Sequence, residues 1–130
     1  MIDHTPHFSR EELECHCCGE MPPNGISLFL LDGLEWLRSE VGPIHVSCAY
    51  RCPKHNLEVG GVYNSQHVLG TAADIWCDTL STHELAEVAK MRFDGVGEYH
   101  EEAFVHVDMR ADGNMAGYYT WSDQDEDDDE

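Results

Sequence analysis

The chain has 130 residues, which is enough for one domain with a single hydrophobic core. Its 26 acidic and 7 basic side chains give a formal net charge of -19. A surface so acidic repels nucleic acid and anionic lipid, so we expect neither as a partner.

Acidic residues are concentrated at the C-terminal end, where residues 123–130 carry seven of them. Such a run is typical of a solvated, disordered segment. We therefore predict a single domain over residues 1–121 and a disordered acidic tail over residues 122–130. The chain shows no signal-peptide pattern and no apolar stretch long enough to span a membrane. We expect a soluble monomer that is cytoplasmic as synthesised and is released by lysis or carried on a virion.

Six cysteines are many for a chain of this length. The cluster Cys15-His-Cys-Cys18, followed by Cys48 and Cys52, allows a second, structural zinc site, although the spacing lacks two clean CxxC pairs. Disulfides and free buried thiols are the alternatives, because the sequence does not show the redox compartment. The state of the cysteines therefore stays open at this point.

Capping signals and hydrophobic periodicity predict the elements in chain order. A capping box at Ser9–Glu12 predicts a short helix, and apolar positions at helical spacing predict a second helix from Ser27 to about Glu40. The remaining predicted elements are a strand at 44–48, a turn and short helix at 50–61, a loop at 62–70, a strand at 71–77, a helix from Ser81 to about Arg92, a turn at 95–97, a strand at 104–109 and a short strand at 118–121. The pattern indicates an α+β fold, a small and mostly antiparallel sheet with helices on one face and a cleft on the other.

The two central predicted strands carry polar side chains on a single face. Because side chains alternate along a strand, His106 and Asp108 point away from the core valines between and before them, and Asp74 occupies the equivalent face of its own strand. These three side chains converge if the two strands are neighbours. His67 lies just before the Asp74 strand and is close enough in sequence to fold over the same face.

Two histidines and an aspartate are a chemically suitable set of zinc ligands. Imidazole nitrogen and carboxylate oxygen both bind zinc, and three protein ligands leave a fourth position for water. The metal would then lower the pKa of that water and polarise a scissile carbonyl. Residue spacing alone is equally consistent with a surface histidine and an aspartate at the end of a strand.

Several motifs together resemble the M15 zinc peptidases, the group of D-Ala-D-Ala carboxypeptidases and L-alanyl-D-glutamate endopeptidases. The resemblance covers nearly the whole chain except the acidic tail and is nearest to the small phage- or prophage-type branch. The motifs that carry it are Ser47-Cys-Ala-Tyr-Arg51, Gly60-Gly61, Ser65-Gln-His67, Gly70-Thr-Ala-Ala-Asp-Ile75, Gly95-Val-Gly-Glu-Tyr99 and Phe104-Val-His-Val-Asp-Met-Arg110.

The resemblance implies a zinc-dependent peptidase that hydrolyses D-amino-acid-containing stem peptides of peptidoglycan, as a carboxypeptidase or an endolysin-like endopeptidase. It implies that the ligands of Zn2+ are His67, Asp74 and His106. Arg51 is expected at the edge of the zinc cleft, where a guanidinium can hold a substrate carboxylate or carbonyl through two hydrogen bonds. Ser65 and Gln66 are expected to contribute polar substrate contacts near the metal.

The chain departs from the family pattern at the general base. Several family members carry a Glu or Asp three residues before the last histidine ligand, where this sequence has Ala103. Asp108 is our first candidate, as the base or as a residue that orients His106. Glu102 is the second candidate, provided that a local irregularity re-aims it towards the cleft.

The missing base also leaves room for functions other than catalysis. One alternative is a zinc-containing binding module that has kept the metal ligands without turnover. Another is a structural component of a phage particle that uses the same fold.

Overall fold

The computed structural model describes residues 2–62 and 65–124. Within that part of the chain, five helices accompany a sheet of five strands, so the predicted α+β class is confirmed. Nowhere in these two segments is there a helix of the length and apolarity that crossing a membrane requires. The elements are α1 (Arg10–Leu13), α2 (Leu28–Val41), β1 (His45–Cys48), α3 (Pro53–Glu58), α4 (Gln66–Leu69), β2 (Ala72–Trp76), α5 (Thr82–Ala89), β3 (Gly95–Tyr99), β4 (Phe104–Asp108) and β5 (Tyr119–Ser122).

The sheet has the strand order β1-β2-β4-β3-β5. Its pairs are antiparallel except for β3 with β5, which run parallel. β2 and β4 are neighbours, as the convergence of the polar side chains required. The last strand reaches Ser122, and of the acidic tail predicted over residues 122–130, the part from residue 125 onwards lies outside the described residues.

One face of the sheet forms the hydrophobic core with the two longer helices. The apolar stripe predicted for α2 is buried at Leu30, Leu34 and Leu37. Val105 and Val107 of β4 lie in the same cluster and are fully buried. The core therefore occupies the helix side of the sheet and leaves the opposite side for polar groups.

Two predicted connections are wrong in detail. Residues 62–70 were expected to form a loop, but Ser65 caps a short helix there, its side chain accepting a hydrogen bond from the backbone N of His67. Residues 95–97 were expected to form a turn because they are glycine-rich, but they begin β3. The glycines serve to leave space, since a Cβ atom on Gly95 would collide with the Asp108 carboxylate and one on Gly97 with the Trp121 indole.

A buried carboxylate fixes the long connection between β4 and β5. Asp94 is fully buried, and its side chain accepts hydrogen bonds of 2.7–2.8 Å from the backbone N atoms of Ala111, Gly113 and Met115. The connection is thereby folded back so that β5 can pair with β3.

Replacement of Asp94 by alanine should be strongly destabilising, because three backbone N–H groups lose an ionised acceptor at once. We expect the free energy of unfolding to fall by about 2–4 kcal/mol, measured by urea denaturation. The matched control is Asp78→Ala, an exposed carboxylate that pairs with His45 and whose loss should change stability by less than about 0.5 kcal/mol. Equal stability of the two variants would contradict this account of the connection.

Candidate active site

The register of β2 and β4 brings two predicted metal ligands face to face. Asp74 is paired directly with His106, so both side chains project from the polar face of the sheet. His67 reaches the same point from α4, a helix that begins after Ser65 and ends at Gly70 in the left-handed conformation. Three separate elements thus deliver three side chains to one place.

The three side chains meet at a single carboxylate oxygen. Asp74 Oδ1 lies 3.2 Å from His67 Nε2 and 3.3 Å from His106 Nδ1. The two imidazole rings are nearly perpendicular, with their centroids 5.2 Å apart. One face of the site stays open, since Asp74 is partly exposed.

The far nitrogen of each imidazole is occupied by an acceptor. His67 Nδ1 lies 2.7 Å from the carbonyl oxygen of Ala49, and His106 Nε2 lies 2.8 Å from Asp108 Oδ2. Both acceptors require a proton on those nitrogens, so the neutral rings present lone pairs to Asp74 Oδ1. Each imidazole lone pair and the negatively charged Asp74 oxygen repel one another unless a cation lies between them.

This donor set fits zinc. Two ligand atoms on one tetrahedral zinc ion, each at about 2.0–2.1 Å, lie about 3.3 Å apart, which agrees with the separations from Asp74 Oδ1 to the two rings. The acceptors behind both histidines correspond to the outer contacts that fix the orientation of metal-bound imidazoles. His67, Asp74 and His106 are therefore the residues that would hold the ion.

Without a metal, protons supply the missing positive charge. Burial alone would lower the pKa of His67, but Asp74 and the Cys48 thiol raise it to about 10. Burial would likewise raise the pKa of Asp74, yet His106 and His67 lower it to about 2. A metal ion has to displace a proton from this group, so its affinity should increase with pH.

The site opens into a cleft of about 650 Å³. Besides the three ligands, its walls include Arg51, Glu102 and Trp121. Among the described residues, Arg51 Nε is a buried donor without a hydrogen-bond partner, while the guanidinium Nη2 lies 3.5 Å from Ser65 Oγ. An unsatisfied cationic donor in a cleft wall is suited to bind an anionic group of a ligand.

The two residues expected to contribute polar contacts lie in the cleft wall beside His67, and each already has a local role. Ser65 is the N-cap of α4, and the side chain of Gln66 accepts a hydrogen bond of 2.7 Å from Thr71 Oγ1. Both residues therefore fix α4, the short helix that carries His67.

Asp108 and Glu102 occupy very different environments. Asp108 is fully buried behind His106, and its carboxylate also accepts two hydrogen bonds, of 3.0 and 2.8 Å, from the Arg110 guanidinium. Burial would raise the pKa of Asp108, but His106 and Arg110 hold it well below its usual range. Of the two roles considered for Asp108, this geometry favours orientation of His106. Glu102 is exposed on the cleft wall, next to Ala103, whose φ of 59° bends the turn between β3 and β4.

Three residues near the site were not among the predicted site residues. Cys48, which sequence reasoning grouped with the N-terminal cysteines, lies with its Sγ 3.8 Å from His67 Nδ1. Trp121 packs its ring 5.2 Å from that of His106 and donates a hydrogen bond to the Tyr99 hydroxyl. Arg110 anchors Asp108, and the FVHVDMR motif was the one sequence signal that pointed to it.

Comparison with known families agrees with this geometry. The family model described as Peptidase M15 matches residues 6–108. The chain belongs to the M15 peptidase family, and membership implies a zinc-dependent metallopeptidase, a hydrolase. No curated protein sequence matches the chain.

Replacement of Asp108 by asparagine should weaken zinc binding, because the amide cannot supply the charge that holds the His106 Nε2 proton. Loss of such an outer contact lowers metal affinity by about 10- to 100-fold, which competition with a chromophoric chelator measures. Asp78→Asn is the control, since this carboxylate is exposed and pairs with His45. An unchanged zinc affinity in Asp108→Asn would show that Asp108 does not orient a metal ligand.

Proposed function

We propose that this metallopeptidase hydrolyses D-amino-acid-containing stem peptides of peptidoglycan. The observation that carries the proposal is the convergence of His67, Asp74 and His106 in a cleft whose wall holds Arg51, with a buried Nε that has no hydrogen-bond partner within the described part of the chain. The motifs shared with D-Ala-D-Ala carboxypeptidases and L-alanyl-D-glutamate endopeptidases support this substrate class. Stem peptides also offer the carboxylates that Arg51 requires.

Each ligand has a defined part in the proposed chemistry. Zinc held by His67, Asp74 and His106 would supply Lewis-acid activation of water and of the scissile carbonyl. Ala49 O and Asp108 keep the two imidazoles in the tautomers that leave their inner nitrogens free to bind. Asp74 contributes the negative charge that makes the site selective for a cation.

Arg51 is the proposed anchor for the substrate carboxylate. Its backbone N donates a hydrogen bond of 3.3 Å to the carbonyl oxygen of His67. This bond fixes the position of Arg51 relative to the proposed metal ligand His67. A carboxylate gripped by the guanidinium would place a neighbouring peptide bond over the metal ligands. The acidic surface disfavours adsorption to the anionic cell wall, which favours short soluble stem peptides as substrates.

Glu102 is the proposed general base. It takes a proton from the attacking water and later delivers a proton to the leaving amine. Glu102 lies on the cleft wall after β3. From there it could replace the base that several family members carry at the position of Ala103. Asp108 is a positioning residue in this scheme, because it acts through His106.

A further part of the proposal concerns the working form of the protein. We propose that the enzyme acts as a monomer without nucleic acid or membrane partners, and that it reaches its substrate after lysis or on a virion, as a phage or prophage endolysin would. These proposals are supported by the strongly acidic composition and by the motifs of the phage-type branch.

Synthetic stem peptides ending in D-Ala-D-Ala, as the free acid and as the C-terminal amide, test the proposal by product mass. We expect the free acid to be cleaved, and Arg51→Lys to lower kcat/KM for it by about 10- to 100-fold through loss of the two-point contact. His106→Ala should abolish turnover. Cleavage of the amide as fast as the acid would contradict the anchor, full activity of His106→Ala would contradict the metal site, and binding without turnover would favour the binding module.

The assignment of the base gives a separate prediction. Glu102→Gln should lower kcat by about 100-fold or more with little change in KM or zinc content, because only proton transfer is lost. Glu101→Gln, the adjacent exposed carboxylate, is the matched control, and equal kinetics of the two variants would rule out Glu102 as the base.

A further inference from the structure

Three cysteines far apart in sequence form a cluster outside the cleft. Cys15 and Cys18 follow α1, while Cys52 caps the N-terminus of α3. Their Sγ atoms all lie within 4.8 Å of one another. All six cysteines of the chain are unpaired thiols, and Cys15 and Cys52 are buried.

The first two cysteines lie in a tight turn. Gly19 N donates a hydrogen bond of 2.7 Å to the carbonyl oxygen of Cys15, and Cys15 N donates one of 2.9 Å to that of Glu20. Gly19 has a φ of 71°, a conformation that favours glycine. The turn directs two sulfurs separated by two residues to the same side, which is the spacing of zinc-binding cysteine pairs.

Backbone N–H groups surround the sulfurs. Cys52 N donates to Cys15 Sγ and His55 N donates to Cys52 Sγ, both at 3.4 Å. A neutral thiol is a weak acceptor, whereas a thiolate is a strong one. The turn is thus built to hold sulfur in its charged form.

The spacing of the three sulfurs allows them to share one metal ion. Their Sγ atoms all lie within 4.8 Å of one another, and backbone N–H groups donate to two of them. Burial would raise the pKa of Cys15, but the backbone N–H groups of Cys52, Cys17 and Cys18 outweigh it and lower the pKa, in agreement with this geometry.

We propose that Cys15, Cys18, Cys52 and His55 form a second, structural zinc site. His55 lies in the first turn of α3, three residues after Cys52, so the chain supplies a Cys-x2-Cys pair and a Cys-x2-His pair. A nitrogen of His55 lies within 4.8 Å of Cys17 Sγ and of a Glu58 carboxylate oxygen, so the ring has to turn from Glu58 towards the three sulfurs to become the fourth ligand. Three sulfurs and one imidazole select zinc over magnesium, calcium or manganese.

The site would stabilise the wall of the catalytic cleft. Cys52 follows Arg51 directly, and Tyr50 N donates a hydrogen bond of 3.1 Å to the carbonyl oxygen of Leu13. A metal that joins residues 15–18 to Cys52 would fix the backbone on both sides of Arg51. A disulfide would join only two of the three sulfurs and leave the third with its N–H donors.

Metal analysis and cobalt absorption of protein purified anaerobically under reducing conditions test this site. We expect two zinc ions per chain in the wild type and one in Cys18→Ser, which replaces an exposed side chain. After cobalt loading, the wild type and His106→Ala should both show the intense sulfur-to-cobalt charge-transfer band. Cys18→Ser and Cys52→Ser should lose it, and Cys77→Ser is the control that keeps it. Because His106→Ala lacks the catalytic site, the test is independent of the proposed function.

Thiol labelling gives a readout on the wild-type protein that does not depend on the folding of a variant. We expect Cys15, Cys18 and Cys52 to resist alkylation until a chelator is added, while Cys77 reacts equally in both conditions. A wild type without the charge-transfer band, alkylation that the chelator leaves unchanged, or a disulfide within this cluster in the reduced protein would overturn the proposal.

Discussion

Asp74 and His106 lie directly opposite one another on neighbouring antiparallel strands, and the rest of the site depends on that register. A shift of β4 by one residue would turn His106 and Asp108 into the core and place Val105 and Val107 in the cleft. The valines packed under the helices prevent such a shift. The hydrophobic effect on one face of the sheet therefore fixes the candidate metal ligands on the other.

Much of this arrangement follows from the sequence because it has a simple periodicity. Alternation along β4 separates core valines from polar residues, and the same alternation places Asp74 correctly in β2. Capping boxes at Ser9 and Ser81 marked the starts of α1 and α5, and both are present. These signals are local and depend on the backbone geometry of single elements. These local signals do not show that β2 and β4 pair with each other, which the structure shows.

Other features depend on contacts between distant residues and were out of reach. The glycines at 95 and 97 predicted a turn, but they lie in β3. The sequence around them does not show that Asp108 and Trp121 fill the space where their side chains would be. Cys48 was grouped with the N-terminal cysteines by sequence proximity to Cys52, but a register shift in β1 places it beside His67. The environments of the two base candidates could not be read from the sequence either, because the burial of Asp108 and its hydrogen bonds with His106 and Arg110 depend on the fold.

The most direct test of the metal centre is an anomalous difference map at the zinc edge from a crystal of the zinc-loaded protein. We expect a peak bonded to His67 Nε2, an Asp74 carboxylate oxygen and His106 Nδ1, with the far nitrogens still bonded to Ala49 O and Asp108. A peak bound through Cys48 in place of His106, or density at this face without a zinc signal, would contradict it.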